Sequence, residues 1–201
     1  MTTAEAKQLA QQQRRRGELD VAAKTLADAI AIEPSPEVQA DLYGILGGIR
    51  RAQGDLVASA AAYDAGYHRE PVQNTYNELN RLVVRILLQP RVLSDSNALR
   101  EYPELETVDV PHALRLLGPQ LRQQTHTSRN SDYWAFGDLA LTSALTGERE
   151  EVFKALNDMQ ACTPPAEAYR KYHEVIAELA TLETPQRPLL TEAKKWLAQR
   201  M

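Results

Sequence analysis

The sequence predicts an all-α fold, a right-handed solenoid of antiparallel helix pairs with about nine to ten helices. Three observations predict it. Apolar residues recur at helical spacing along nearly the whole chain, glycine and proline fall between the apolar stripes, and one stretch of sequence repeats another. No alternating run of β-branched residues marks a strand.

The stripes follow in order. Ala22, Leu26, Ala29 and Ile30 line one helix face, and Leu42, Leu46 and Ile49 the next. Leu56, Ala60, Tyr63 and Tyr67 form a third, and Tyr76, Leu79, Val83, Ile86 and Leu87 a fourth. Past an irregular insertion expected at 91–110, helix resumes at Pro111, suited to a first turn, and carries Leu114, Leu117 and Leu121. A loop at Ser128–Ser131 supplies a helix-capping signal for a pair spanning Asp132–Thr146 and Glu148–Ala161, which turns at Gly147. Tyr169, Tyr172, Ile176 and Leu179, then Leu189, Ala193, Trp196 and Leu197, mark two closing helices.

The segment from Gly17-Glu18-Leu19 to Glu33-Pro34 aligns with that from Gly54-Asp55-Leu56 to Glu70-Pro71, with one offset at both ends. In each, a glycine opens the second helix and a Glu-Pro pair closes it. The upstream helices add Ala6-x-x-Leu9-Ala10 and Tyr43-x-x-Leu46-Gly47, followed by Ala22-x-x-x-Leu26 and Ser59-x-x-x-Tyr63. Small residues stand where helices must approach, and large ones fill the space beside them. This pattern resembles the tetratricopeptide repeat, whose period is about 34 residues. The expected organisation is one helical-repeat domain over 1–201. Its repeats lie at about 3–34, 37–71, 74–126 and 131–162, and helices 166–182 and 189–200 cap it.

From about Val38 to Leu182 the order of features resembles the TRAF-binding regulatory region of apoptosis-signal-regulating kinases and its bacterial relatives. The residues carrying this are Tyr76-Asn77-Glu78-Leu79-Asn80 after a Pro-terminated repeat, and Ser131-Asp132-Tyr133-Trp134-Ala135 before the Gly147-Glu148 turn. Asn77-Glu78-Leu79 stands where that family has a Gly-Ile-Asn-type run. The resemblance implies a regulatory protein-binding module of signalling or bacterial defence assemblies, with no catalytic residues. Likeness to repeats that clamp chaperone tails fails at Ile45 and Glu78, where a clamp needs polar or basic side chains.

Composition narrows the function. With 23 Lys+Arg against 27 Asp+Glu the net charge is −4, which argues against electrostatic binding of nucleic acid. A single cysteine, Cys162, excludes an intrachain disulfide and is expected to pack in a core. No window is long and apolar enough to span a membrane, and the polar N-terminus lacks a secretory pattern, so a cytoplasmic protein is expected. His68, His112, His126 and His173 are scattered without a metal-binding spacing, and no phosphate-cradling glycine loop occurs. No metal, cofactor or catalytic residue is expected. Leu46-Gly47-Gly48 reads as a place of close helix packing, and Tyr133 and Trp134 as packing aromatics.

In such repeats the first helix of each pair lines the binding groove. The register places Lys7, Gln11, Arg14 and Arg15 there from the first repeat, Asp41 and Arg51 from the second, and Asn77, Arg81 and Arg85 from the third. Guanidinium forks suit carboxylate and phosphate groups. The expected partner is therefore a protein offering an acidic or extended segment; the alternatives are a small-ligand or nucleotide sensor, an enzyme with an unrecognised site, and a solvated face knit by pairs such as Glu78 with Arg81 or Arg85. Reversing Arg81 and Arg85 to Glu is expected to weaken the partner about tenfold and leave the fold intact. Reversal at Lys194 and Lys195 is expected to change little.

Overall fold

The computed structural model describes residues 1–70, 75–95 and 98–201. Pro71 and Asn74, at the expected boundary between repeats, and Ser96 and Asn97 of the insertion lie outside the described residues. Among those described there are ten α-helices and no strand, so the chain is all-α. It divides into two compact units, Met1–Leu88 with Leu99–Thr107, and Gln89–Ala98 with Val108–Met201. The insertion contributes to both. Its described residues include short 3-10 turns at Pro90–Leu93 and Ala98–Glu101.

The first unit holds α1 (Thr3–Arg15), α2 (Leu19–Ile32), α3 (Pro36–Ala52), α4 (Leu56–Arg69) and α5 (Thr75–Leu88). Local chemistry sets the boundaries. Thr2 and Glu5 form a reciprocal capping box on α1, Ser35 caps α3 ahead of Pro36, and Asp55 caps α4. Gly17 and Gly54 turn the chain between paired helices at φ +78° and +81°, a left-handed backbone that side chains resist. Equivalent backbone bonds span the two turns: Glu18 N–H donates to Gln13 at 2.9 Å, and Asp55 N–H to Arg50 at 3.0 Å.

The repeat pattern is a packing pattern. Ala10, Ala22 and Leu26 are fully buried at the first pair. At the second, the Ser59 hydroxyl donates to the Gly47 carbonyl at 2.8 Å, and a Cβ on Gly47 would stand 2.8 Å from the Tyr63 ring. Gly47→Ala must therefore displace that ring and should cost about 1–3 kcal/mol by chemical denaturation. An unchanged midpoint would show that the two helices can separate without penalty. Gly54→Ala meets nothing within 4 Å, so only the backbone strain, about 1–2 kcal/mol, should be felt there.

The second unit holds α6 (Val110–His126), α7 (Tyr133–Thr146), α8 (Arg149–Ala161), α9 (Ala166–Leu179) and α10 (Arg187–Ala198). Its Gly147 turn repeats the other two, at φ +84° with Glu148 N–H donating to Ser143 at 2.9 Å. Counted from that turn, Leu139, Ala140, Val152 and Leu156 take the motif places, and all are buried. The cap of α7 is Asp132, whose carboxylate accepts from Trp134 N–H at 2.9 Å, so the capping residue follows the Ser128–Ser131 loop. The last helix starts ahead of Pro188, which sits in its first turn. Among the described residues no helix is long and apolar enough to cross a membrane.

Candidate functional site

The first helices of the first two pairs lie side by side. Lys7 of α1 pairs with Asp41 of α3 at 2.5 Å, 34 residues along the chain. One helical stretch further on, the Arg14 guanidinium approaches Gly48, its Nη1 standing 3.9 Å from where a Cβ would sit. Two such approaches, advancing together along both helices, make α1 and α3 parallel neighbours. Lys7 is half-buried, while Gln11, Arg14 and Arg15 are exposed on this face, and Arg51 of α3 is partly exposed. Arg14 and Arg15 have no ion-pair partner among the described residues.

Two phenols complete the face. Tyr63 of α4 is 2% exposed, yet its hydroxyl reaches to 3.6 Å from the vacant Cβ position of Gly48. It shares a hydrogen bond with Tyr76 of α5, and the two rings meet edge to face with centroids 6.2 Å apart. Burial pushes the Tyr63 phenol well above its ordinary pKa, and its neighbour Tyr76 adds to this. The positive fields of Arg51 and Arg14 oppose the rise. Tyr76, read from the sequence as part of a packing stripe, is 47% exposed. Neither phenol nor Gly48 was legible as a site residue. The available signal was a glycine at a mid-helix position on a polar face.

Three expected groove residues lie elsewhere. Asn77 is fully buried, and its side-chain amide donates to the Ala40 carbonyl at 2.8 Å. A Cβ on Gly44 or Gly66 would collide with it, so Asn77 is a packing residue held between α3 and α4. Arg85 is also fully buried; its Nη2 donates to Asp64 Oδ2 at 2.7 Å and to the Glu106 carbonyl at 3.0 Å. Arg81, 5% exposed, has Nη1 3.7 Å from both Asp64 Oδ1 and Glu106 Oε2, and its guanidinium lies 3.6 Å over the Tyr67 ring. The segment Leu99–Thr107 explains the correction. Leu105 and Tyr102 pack on the cluster around Ala60, Tyr63 and Val84, and Glu106 reaches the arginines from the same segment. A helix covered on both sides has no solvent face for Arg81 and Arg85, so the double reversal to Glu would bury like charges beside Asp64. The fold would not survive it.

The second unit has its own buried polar centre. Tyr172 of α9 places its hydroxyl 2.7 Å from the Trp134 carbonyl and 2.7 Å from Asp138 Oδ1, both on α7. Gly137 makes room, since a Cβ there would fall 2.1 Å from the Tyr172 ring. Tyr133 and Trp134 are half-buried packing aromatics, as expected, with Lys171 5.1 Å over the Trp134 ring. Cys162 is half-buried at the end of α8, where burial, Asp132 and Asp158 all raise its pKa. Among the described residues no group of three histidine, cysteine or acidic side chains is placed to hold a metal.

No family model matches the chain, and no curated protein matches it. A solved structure of a tetratricopeptide repeat protein from Parabacteroides merdae ATCC 43184 is similar at 18% identity, over 98% of this chain and 79% of that one, with a TM-score of 0.42.

Proposed function

We propose that the protein is a non-enzymatic helical-repeat scaffold, and that the α1–α3 face of its first unit takes an acidic segment of a partner protein. The observation that carries this is Arg14, an exposed guanidinium without an ion-pair partner among the described residues, on the same helix as exposed Gln11 and Arg15 in a chain of net charge −4. A cation-rich strip on an acidic protein is complementary to carboxylate-bearing chain. Parallel first helices present such side chains at regular intervals, which suits an extended ligand. A place in a signalling or bacterial defence assembly is supported by the resemblance at Tyr76–Asn80 and Ser131–Ala135.

The test is capture from the native host followed by mass spectrometry, with surface variants as controls. A partner recovered by the wild-type chain should lose at least about tenfold in affinity to Arg14→Glu/Arg15→Glu. It should be retained by Lys194→Glu/Lys195→Glu, and both variants should keep wild-type stability within about 0.5 kcal/mol. A partner that ignores the first variant and is lost with the second would place docking elsewhere and overturn the reading.

A further inference from the structure

Helices α1 and α3 are each followed by a helix that packs along them, α2 and α4. Helix α5 is followed instead by a stretch of short turns, and nine residues of it, Leu99–Thr107, lie on α4 and α5 as a strap. Backbone bonds run within the strap, Tyr102 N–H donating to Leu99 at 2.9 Å and Leu105 N–H to Tyr102 at 3.0 Å. Tyr102, Leu105 and Glu106 tie it to the helices. Leu105 is buried against Ala60, Tyr63 and Val84, and Tyr102 packs on the same cluster. Glu106 brings its carbonyl to Arg85 at 3.0 Å and its carboxylate to His68 at 2.7 Å.

The strap satisfies this face incompletely. Arg85 donates to Asp64 at 2.7 Å, but Arg81, 5% exposed, has no hydrogen bond at Nε or Nη1 among the described residues. The Glu106 carboxylate stops 3.7 Å from Arg81 Nη1, beyond hydrogen-bond distance. Burial pushes up the carboxyl of Glu78, one turn earlier on α5, against the pull of Arg81, which weakens its claim on that cation. A buried donor without an acceptor is costly, and a carboxylate brought closer would relieve it. The strap itself is acidic, with Glu101, Glu104 and Glu106 against Arg100. We propose that the strap is a tethered stand-in, and that the α4–α5 face beneath it takes an acidic peptide segment of a partner protein in its place. The segment it fits carries an aromatic residue, a leucine three places on and a glutamate next to that leucine. A chain free of the tether can bring its carboxylate to Arg81, which the strap does not. Until then the strap keeps water from the apolar seat of Leu105 and from two buried guanidinium groups. This surface is separate from the α1–α3 face and does not rest on it.

The test uses the full chain, carbon-13 labelled at its leucine and valine methyls and titrated with the unlabelled heptapeptide Glu-Tyr-Pro-Glu-Leu-Glu-Thr, the sequence of residues 101–107. The titration runs to about 10 mM, because a segment on short tethers competes at an effective concentration in the mM range. The Leu105 methyls should move toward the shifts of an exposed leucine, while those of Val84 keep a buried environment. A control peptide, with serine and glutamine in place of the leucine and the glutamate after it, should leave Leu105 where it is. Leu105→Ala weakens the strap and should bind the heptapeptide at least about tenfold tighter than the wild type does. Should that variant lose its helices, the wild-type titration decides by itself. No displacement of Leu105 at the top of the titration, or displacement by the control peptide as well, overturns the proposal. Equal affinity of the wild type and a folded Leu105→Ala does the same. Binding that is silent at Leu105 and lost with Arg14→Glu/Arg15→Glu overturns the strap proposal and supports the α1–α3 reading. Displacement of Leu105 that survives this double change supports the strap whatever becomes of that other face.

Discussion

Replacing Arg85 with methionine should cost about 3–5 kcal/mol of stability, the largest loss expected from any single substitution in the first unit. Arg85 is fully buried and donates to Asp64, itself 8% exposed. Without the guanidinium, the carboxylate stays buried with Arg81 at 3.7 Å as its remaining cation, too far for a hydrogen bond. The same change frees the Glu106 carbonyl, which Arg85 holds at 3.0 Å, so the covering segment Leu99–Thr107 should loosen as well. Chemical denaturation gives the first quantity, and amide exchange along 99–107 the second. The double variant Asp64→Leu/Arg85→Met should recover most of the loss, because a buried ion pair is worth little more than the apolar pair replacing it. A single variant as stable as the wild type would mean that Asp64 already finds its compensation in Arg81.

Asp138→Asn should make the second unit more stable at pH 8 and flatten its dependence on pH. Burial pushes the Asp138 carboxyl up to about 7, against the stabilising pulls of the Tyr172 hydroxyl and the Arg129 charge; Asp132 adds to the rise. Geometry points the same way. The Tyr172 hydroxyl has one hydrogen and two acceptor neighbours, the Trp134 carbonyl and Asp138. A protonated Asp138 donates to the phenol, the phenol donates to the carbonyl, and both contacts are satisfied. In the unfolded chain an aspartate titrates near ~4, so the folded state binds the extra proton between about pH 4 and pH 7. The stability this group contributes is therefore full below pH ~4 and is lost as the pH rises to about 7, by up to ~4 kcal/mol. Asparagine keeps a donor toward Tyr172 and carries no charge. Unfolding followed by the fluorescence of Trp134 and Trp196, both in this unit, at pH 5 and pH 8 separates the cases. Parallel slopes for wild type and variant would show that Asp138 is ionised throughout and that Tyr172 donates to it.

Much of the fold was legible because its determinants are local. Gly17, Gly54 and Gly147 announce left-handed turns, and all three adopt them. Leu26 and Tyr63, each with its small partners, announce pair packing. These depend on backbone preference and on neighbours one turn away, which spacing records directly. Of the site residues, exposure alone can be compared with the expectation. Arg14, Arg15 and Gln11, expected along the groove, are exposed, and Lys7 pairs with Asp41 of α3.

What the sequence by itself determined, then, is the all-α class and the helix pairs with their turns. Tertiary structure decided which charges are surface and which are core. Arg81 and Arg85 have the composition and spacing of groove residues, yet a segment some twenty residues downstream folds back over them and supplies Glu106. Gly47 and Gly48 are adjacent and identical in type, yet one is filled by the Tyr63 ring and the other stands open beside a hydroxyl and a guanidinium. Periodicity states which side of a helix is apolar. It does not state what will cover the polar side, because that covering comes from residues distant in sequence, and burial of a charge is decided by everything that packs around it.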